Sequence, residues 1–322
     1  MDANRTARLK EKYGNAYKWL AGASVILGLL TTIFSSTMVN VALTDIMATF
    51  DITQASAQWM STAFLSASSV AMLSTAWLMR AIGPRLSFLL AVTSFIIGSL
   101  LGWIAPSFEI LIFARFLQGA GAGILQPLSM ALVFLLFPSE IRGRAMGMFG
   151  MGVVLGPALG PIIGGVITDS SNWQTTFAIV LPLAAISALL GWIFLPDKKE
   201  NDRPGQFNIT SFALIAAAVG SLLIGLSNSQ FTSFSDLTVY PYLLIAAVTF
   251  ILFIRRELKS AAPLVQLEMF RNPRVTSSAL IGALTSAGLF SSFYAIPLFV
   301  RTVQMSDATT AGMTLLPAGI IL

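Results

Sequence analysis

Arg115, Gln118 and Gln126 carry the most chemistry in an otherwise apolar stretch, Arg115-Phe-Leu-Gln118-Gly119-Ala-Gly121-Ala-Gly123-Ile-Leu-Gln126-Pro127. At 100° per residue of an α-helix, Arg115, Gln118, Gly119, Ala122, Gln126 and Ser129 fall on one face, polar at one end and small in its middle. A guanidinium among apolar residues is costly in lipid, so it must face a protein interior or a wet cavity and find a partner there. Two uses stay open. Arg115 is either a structural arginine satisfied by backbone carbonyls of a neighbouring helix, or a fixed charge that binds a substrate's polar end or tunes a nearby carboxylate. Because it holds its proton, it can tune a proton site but cannot be one.

A second pattern is Gly152-Val-Val-Leu-Gly156-Pro157-Ala-Leu-Gly160-Pro161-Ile-Ile-Gly164-Gly165. Glycines at every fourth residue make a groove in which another backbone can approach closely, and Pro157 and Pro161 remove donors and bend the helix. The contribution is geometric: simple tight packing, or the deformable contact of a moving part. A third pattern is Thr32, Ser36, Asn40 and Thr44 at successive i,i+4 positions, with Asp45 near the end of that stretch. Uncharged hydrogen-bonding residues on one face suit a cavity wall and equally suit bonds between helices.

The elements that position these residues follow from composition. Of 322 residues 56% are hydrophobic and only 10% charged, with mean hydropathy +0.81, against roughly 25% charged in soluble domains. Apolar stretches of about 20 residues recur along the chain, each able to cross a hydrocarbon layer roughly 30 Å thick. Spans are predicted near 19–44, 56–79, 86–105, 109–135, 144–168, 174–195, 209–228, 239–254, 275–300 and 309–322. The fold class is therefore an all-α polytopic membrane protein. The apolar run from Thr314 to Leu322 has no polar flank, so the chain reads as truncated. The polar, basic residues 1–18 precede an apolar stretch longer than a signal-peptide core, which predicts an uncleaved first helix.

Arg5, Arg8, Lys10, Lys12, Lys18, Arg80, Arg85, Arg142, Arg144, Lys198, Lys199, Arg203, Arg255, Arg256, Lys259, Arg271 and Arg274 all fall on one side of these ten spans. That side is the cytoplasm by the positive-inside rule. Only Arg301, outside, and Arg115, within a span, depart from it. The pI of 9.7 thus comes from short loop clusters rather than a groove-sized patch, which argues against a nucleic-acid partner. The chain has no cysteine and no histidine. Disulfides, thiolate sites and the commonest metal ligand are thereby removed, no cofactor or metal is expected, and intramembrane catalysis is poorly supplied.

The run Ser35-Ser36-Thr37-Met38-Val39-Asn40-Val41-Ala42-Leu43 resembles the first-helix signature of the fourteen-helix drug:proton antiporter branch of the major facilitator superfamily. Ala76 to Gly83, with Arg80, Gly83 and Arg85, is similar to that family's loop between helices two and three. The Arg115 stretch resembles its fourth-helix motif, and Gly156-Pro157 to Gly164-Gly165 its fifth-helix antiporter motif. Pro263 to Leu267, Phe270-Arg271-Asn272 and Ala311-Gly312 with Leu315 to Pro317 extend the likeness, which covers about 19–322.

The resemblance implies a cytoplasmic segment at 1–18, a six-helix N-terminal bundle at 19–196, linkers with two inserted helices at 197–272, and the start of a C-terminal bundle at 273–322. It also implies a bacterial inner-membrane pump that exports small amphipathic compounds against inward proton flow by alternating access, with the lipid bilayer around it and a periplasmic adaptor as a further partner. Three departures matter: Ser35 replaces the usual first-helix acid, Arg80 stands where aspartate is common and removes the carboxylate partner of the loop's basic residues, and Arg301 replaces glutamine. A non-transporting scaffold, or a fragment needing a missing C-terminal half, is the alternative.

Overall fold

The computed structural model describes residues 3–198, 206–229, 232–234, 236–260, 263–304, 310 and 313–314. A basic helix α1 (Ala3–Tyr13) leads into α2 (Ala16–Val41) and a short α3 (Leu43–Phe50). Then come α4 (Gln54–Ala81), α5 (Pro84–Trp103), α6 (Phe108–Leu136), α7 (Ser139–Ser170) and α8 (Thr175–Phe194). After the 199–205 stretch follow α9 (Ile209–Asn228), α10 (Tyr240–Glu257) and α11 (Pro273–Thr302). Among the described residues, α2, α4, α5, α6, α8 and α9 are long and apolar enough to cross a membrane. α7, α10 and α11 fall on the spans expected at 144–168, 239–254 and 275–300. The span expected at 309–322 lies almost wholly outside the described residues.

Local chemistry sets several boundaries. Thr53 caps α4 by accepting from Ser56 N, and Pro84 opens α5 where a missing N–H costs nothing. Gly83 turns the chain between them at φ +88°, a left-handed conformation that glycine adopts without penalty. Arg142 donates to the carbonyls of Phe134 and Phe137, satisfying the last turn of α6. One expectation changes here. The helix expected over 19–44 ends at Val41, so Thr44 and Asp45 belong to α3 and the Thr32–Ser36–Asn40 stripe stops at Asn40. The helices carrying Pro127, Pro157 and Pro161 run through without interruption, which is compatible with the expected bend, because only single donors are lost while the surrounding turns keep theirs.

The core is made where α2, α5, α6 and α8 meet. Val25, Phe88, Val92, Phe95, Leu125, Leu128, Leu132 and Val180 form one apolar cluster there, and Ser187 Oγ on α8 donates to the Ser24 carbonyl at 2.8 Å. A second cluster closes the far end, with Ile46, Met60, Leu111, Trp173 and Phe177. The Trp173 indole N–H donates to Thr49 Oγ1 at 3.0 Å. Leu90, Ile97, Ile186, Leu189 and Trp192 point outward, which suits a helix solvated by acyl chains. α9 and α10 pair with each other and lean on α4 through Leu73, Leu214 and the Trp77–Phe207 rings, whose centroids lie 4.8 Å apart. Most described side chains of α11 are exposed, Leu280, Ile281 and Leu284 among them.

Candidate functional site

Arg115 sits in the second turn of α6 with 1% of its surface exposed. Its guanidinium lies 4.3 Å over the Phe64 ring of α4. Nη1 donates to Gln118 Oε1 at 2.9 Å, and Nε reaches the Met60 carbonyl at 3.5 Å. Gln118 in turn donates from Nε2 to Ser99 Oγ on α5 at 2.9 Å, and Ser99 donates to the Phe95 carbonyl. A chain of hydrogen bonds thus runs from α4 through α6 into α5, and Arg115's partners in it are neutral. Such a buried network is worth most when every member is satisfied.

The small residues of α6 let this chain close. A Cβ on Gly119 would strike the Phe64 carbonyl, one on Gly123 the Ser68 carbonyl, and one on Gly121 the Ala91 carbonyl. Gly98 of α5 makes the reciprocal approach, since a Cβ there would come within 2.6 Å of the Ala114 carbonyl oxygen. Gly119 and Gly123 therefore seat α4, and Gly121 seats α5. In the sequence Gly119 read only as part of the small middle of one face, and Gly121 and Gly123 were given no role.

The glycine row of α7 lies along α2. Gly152 faces Leu30, Gly156 faces Ile33, Gly160 faces Thr37, and a Cβ on Gly164 would come within 3.0 Å of Met38 Cα. Gly165 and Pro161 are buried as well. The sequence suggested backbone meeting backbone. Instead the side chains of Ile33 and Thr37 fill the groove at Gly156 and Gly160, with the Phe34 carbonyl behind Thr37 at Gly160, and the backbone comes nearest at Gly164. Pro157 lies on the same helix.

The polar candidates separate. Ser36 is half-buried and donates to its own helix at Ile33. Asn40 is exposed and, among the described residues, makes no side-chain hydrogen bond. Asp45 is exposed on α3, where its carbonyl accepts from Thr49. Gln126 is exposed although Arg115, Gln118, Gly119, Ala122 and Ser129 of the same helical face are buried. Among the described residues no three acidic side chains gather closely enough to hold a metal ion.

At the end of the bundle that carries the basic loops, Arg80 is exposed in the last turn of α4. Gly83 packs against Lys198, whose Nζ donates to the Ala81 carbonyl at 2.9 Å. Arg85 has a carboxylate partner after all. Its Nη1 pairs with Asp197 at 2.8 Å just beyond α8, and its guanidinium lies 4.1 Å over the Trp192 ring. Arg5 of α1 meets the same carboxylate at 3.1 Å and donates to the carbonyls of Trp192 and Ile193, the last turn of α8. Sequence alone showed Asp197 only as part of a polar linker. The one available signal was its place directly after the apolar run of α8, on the same side as Arg5 and Arg85.

A bundle of apolar helices with sealed polar links inside and hydrocarbon-facing residues outside defines a polytopic integral membrane protein. The profile of the Major Facilitator Superfamily matches residues 25–322, and the chain belongs to that family. Three of its curated relatives come from Bacillus subtilis (strain 168). An uncharacterized MFS-type transporter YcnB is 32% identical over 93% of this chain and 64% of its own length. The lincomycin resistance protein LmrB is 30% identical over 92% and 62%. Multidrug resistance protein 3 is 31% identical over 91% and 57%. The chain thus spans between about half and two thirds of the length of these relatives. In fold it is similar to a peptide transporter POT solved in complex with sulfate, with TM-score 0.65 and 14% identity over 94% of this chain and 66% of that one.

Proposed function

We propose that the chain is part of a secondary active exporter of small amphipathic compounds, drugs among them, working by alternating access and driven by proton antiport. The observation that carries this reading is Gln126. It is exposed at the nineteenth residue of the 29-residue α6, deep within a membrane helix. A primary amide left in hydrocarbon is costly, so such a position faces a wet cavity or a polar partner. Met130, one turn further, is 46% exposed and adds an adaptable apolar contact beside it. Resistance relatives at about 30% identity support export as the direction. Ser36 and Asn40 on α2 are the further substrate contacts, and Asp45, or a carboxylate outside residues 1–322, is the proton carrier. The test is dye efflux from inverted vesicles holding the complete protein. Export should stop when an uncoupler collapses the proton gradient. Gln126→Ala should change the order of preferred substrates without lowering thermal stability. Uncoupler-resistant export rules out proton coupling, and unchanged preferences remove Gln126 from the path.

The same proposal puts the N-terminus and the 197–208 segment in the cytoplasm of a bacterial inner membrane and the 229–238 loop outside. It rests on the basic residues crowding one end, while 229–238 has none. The outer loop holds Asp236, whose carboxyl accepts from Thr238 N and Oγ1, both at 2.8 Å. These bonds, the backbone one foremost, hold it below the ordinary aspartate range. In this cysteine-free chain, single cysteines at Asn201 and Ser233 report topology directly. An impermeant maleimide added to intact cells should label position 233 and spare 201, and the reverse pattern would invert the protein.

A further inference from the structure

The end of the α9–α10 pair that neighbours the basic loops holds a cavity of about 510 Å³, lined by Thr210, Leu214, Leu252, Arg255, Arg256, Lys259 and Ser260. Three of these side chains are cationic, two are hydroxyls, two are aliphatic, and none is a carboxylate. The nearest acid in sequence, Glu257, is buried and turned away: its Oε2 accepts from Val265 N at 2.9 Å. Asn208 stiffens the rim. Its side chain caps α9 by accepting from Ser211 N, donates to Ser260 Oγ at 3.1 Å, and lies 3.4 Å from Arg256 Nε. The first turn of α9, which includes Thr210, adds the positive end of the helix dipole to the potential of the cations.

The cavity thus brings three cations and two hydroxyls together with two leucines, Leu214 and Leu252, on helices that run into the hydrocarbon. A soluble anion has no use for the two leucines. A membrane lipid with a negative headgroup fits both sets of residues, its phosphate oxygens toward Arg255, Arg256 and Lys259 and its acyl chains along the two leucines. We propose that this cavity is a binding site for an anionic glycerophospholipid of the surrounding leaflet, held through its phosphodiester. The inference is independent of the export reading, since neither Gln126 nor any other proposed substrate contact takes part.

The experiment uses the complete protein in nanodiscs of phosphatidylcholine doped with spin-labelled phosphatidylglycerol, read as relative association by electron spin resonance. The parent should prefer phosphatidylglycerol over spin-labelled phosphatidylcholine. The triple variant Arg255→Gln, Arg256→Gln, Lys259→Gln should lose this preference by roughly tenfold or more. Arg8→Gln, Lys10→Gln, Lys12→Gln removes three charges from α1 at the same end and should keep it. Equal losses in both variants mean general surface attraction and overturn the site, as does an unchanged preference in the first. Adding glycerol 1-phosphate separates the sources of phosphate. If the soluble ester displaces the labelled lipid at millimolar concentration, the site is one for free phosphate esters and the lipid assignment falls. Circular dichroism of each variant confirms that the helices are intact, and a variant that has lost them is replaced by the single change Lys259→Gln, read the same way.

Discussion

Gly123→Leu will not yield a stable bundle. The α6 backbone at this position meets the Ser68 carbonyl of α4 where a Cβ would have to stand, and a backbone cannot turn aside as a side chain can. Overpacking a core costs about 1–3 kcal/mol when side chains absorb the strain. Here the helices themselves must part, and the neighbouring hydrogen-bond chain through Arg115 and Gln118 must part with them. We expect the variant to be degraded in cells or to elute as aggregate after detergent extraction. Gly220→Ala on α9, where a Cβ meets nothing within 4 Å, should extract normally and gain up to about 1 kcal/mol from helix propensity. A Gly123→Leu protein that melts with the parent would mean that the close approach of α4 and α6 is not needed.

Arg115→Ala carries the second large effect. It removes the donor to Gln118 Oε1, the contact with the Met60 carbonyl and the cation over Phe64, leaving polar groups buried at about 1–3 kcal/mol each when unpaired. Because the guanidinium is enclosed on all sides, we infer that it positions α4, α5 and α6 rather than meeting substrate. Melting temperature and dye efflux should then fall together in the alanine variant. Lysine keeps a charge but not the planar fork that serves two directions at once, so Arg115→Lys should be intermediate in both measurements. Loss of efflux at parental melting temperature would restore the alternative, a fixed charge acting on substrate or on a proton site. Parental behaviour in both would leave Arg115 with no role.

Most of the helices were legible because hydrocarbon imposes their length and apolarity, and the ends were marked by charges and turn residues such as Gly83-Pro84. The contents of the site were legible only in part. A helical wheel puts Arg115 and Gln126 at nearly the same azimuth, yet one is sealed and the other open. Packed helices cross at an angle, so a single azimuth is covered at one height and free at another. The glycine rows announced close approach, but spacing does not say which helix approaches: α4 and α5 for Gly119, Gly121 and Gly123, α2 for Gly156, Gly160 and Gly164. Arg80 in place of an acid suggested that Arg85 lacked a carboxylate. Its partner, Asp197, stands 112 residues further along, beyond the reach of any local pattern.

Asp197 also sets a schedule for biosynthesis. Arg5 is among the first residues to leave the ribosome, and its carboxylate follows 192 residues later. At elongation rates of about 5–20 residues per second, the wait is roughly 10–40 s. During that interval the basic face of α1 has no protein to dock on, and both Arg5 and Arg85 stay available to other anions. The carboxylate arrives just as α8 is completed, so α1 settles only on a chain whose α8 is in place. Docking of the N-terminal helix is thus a marker that synthesis has passed α8. A nascent chain arrested before residue 197 should leave α1 open to protease, and one arrested after the linker has cleared the exit tunnel should protect it.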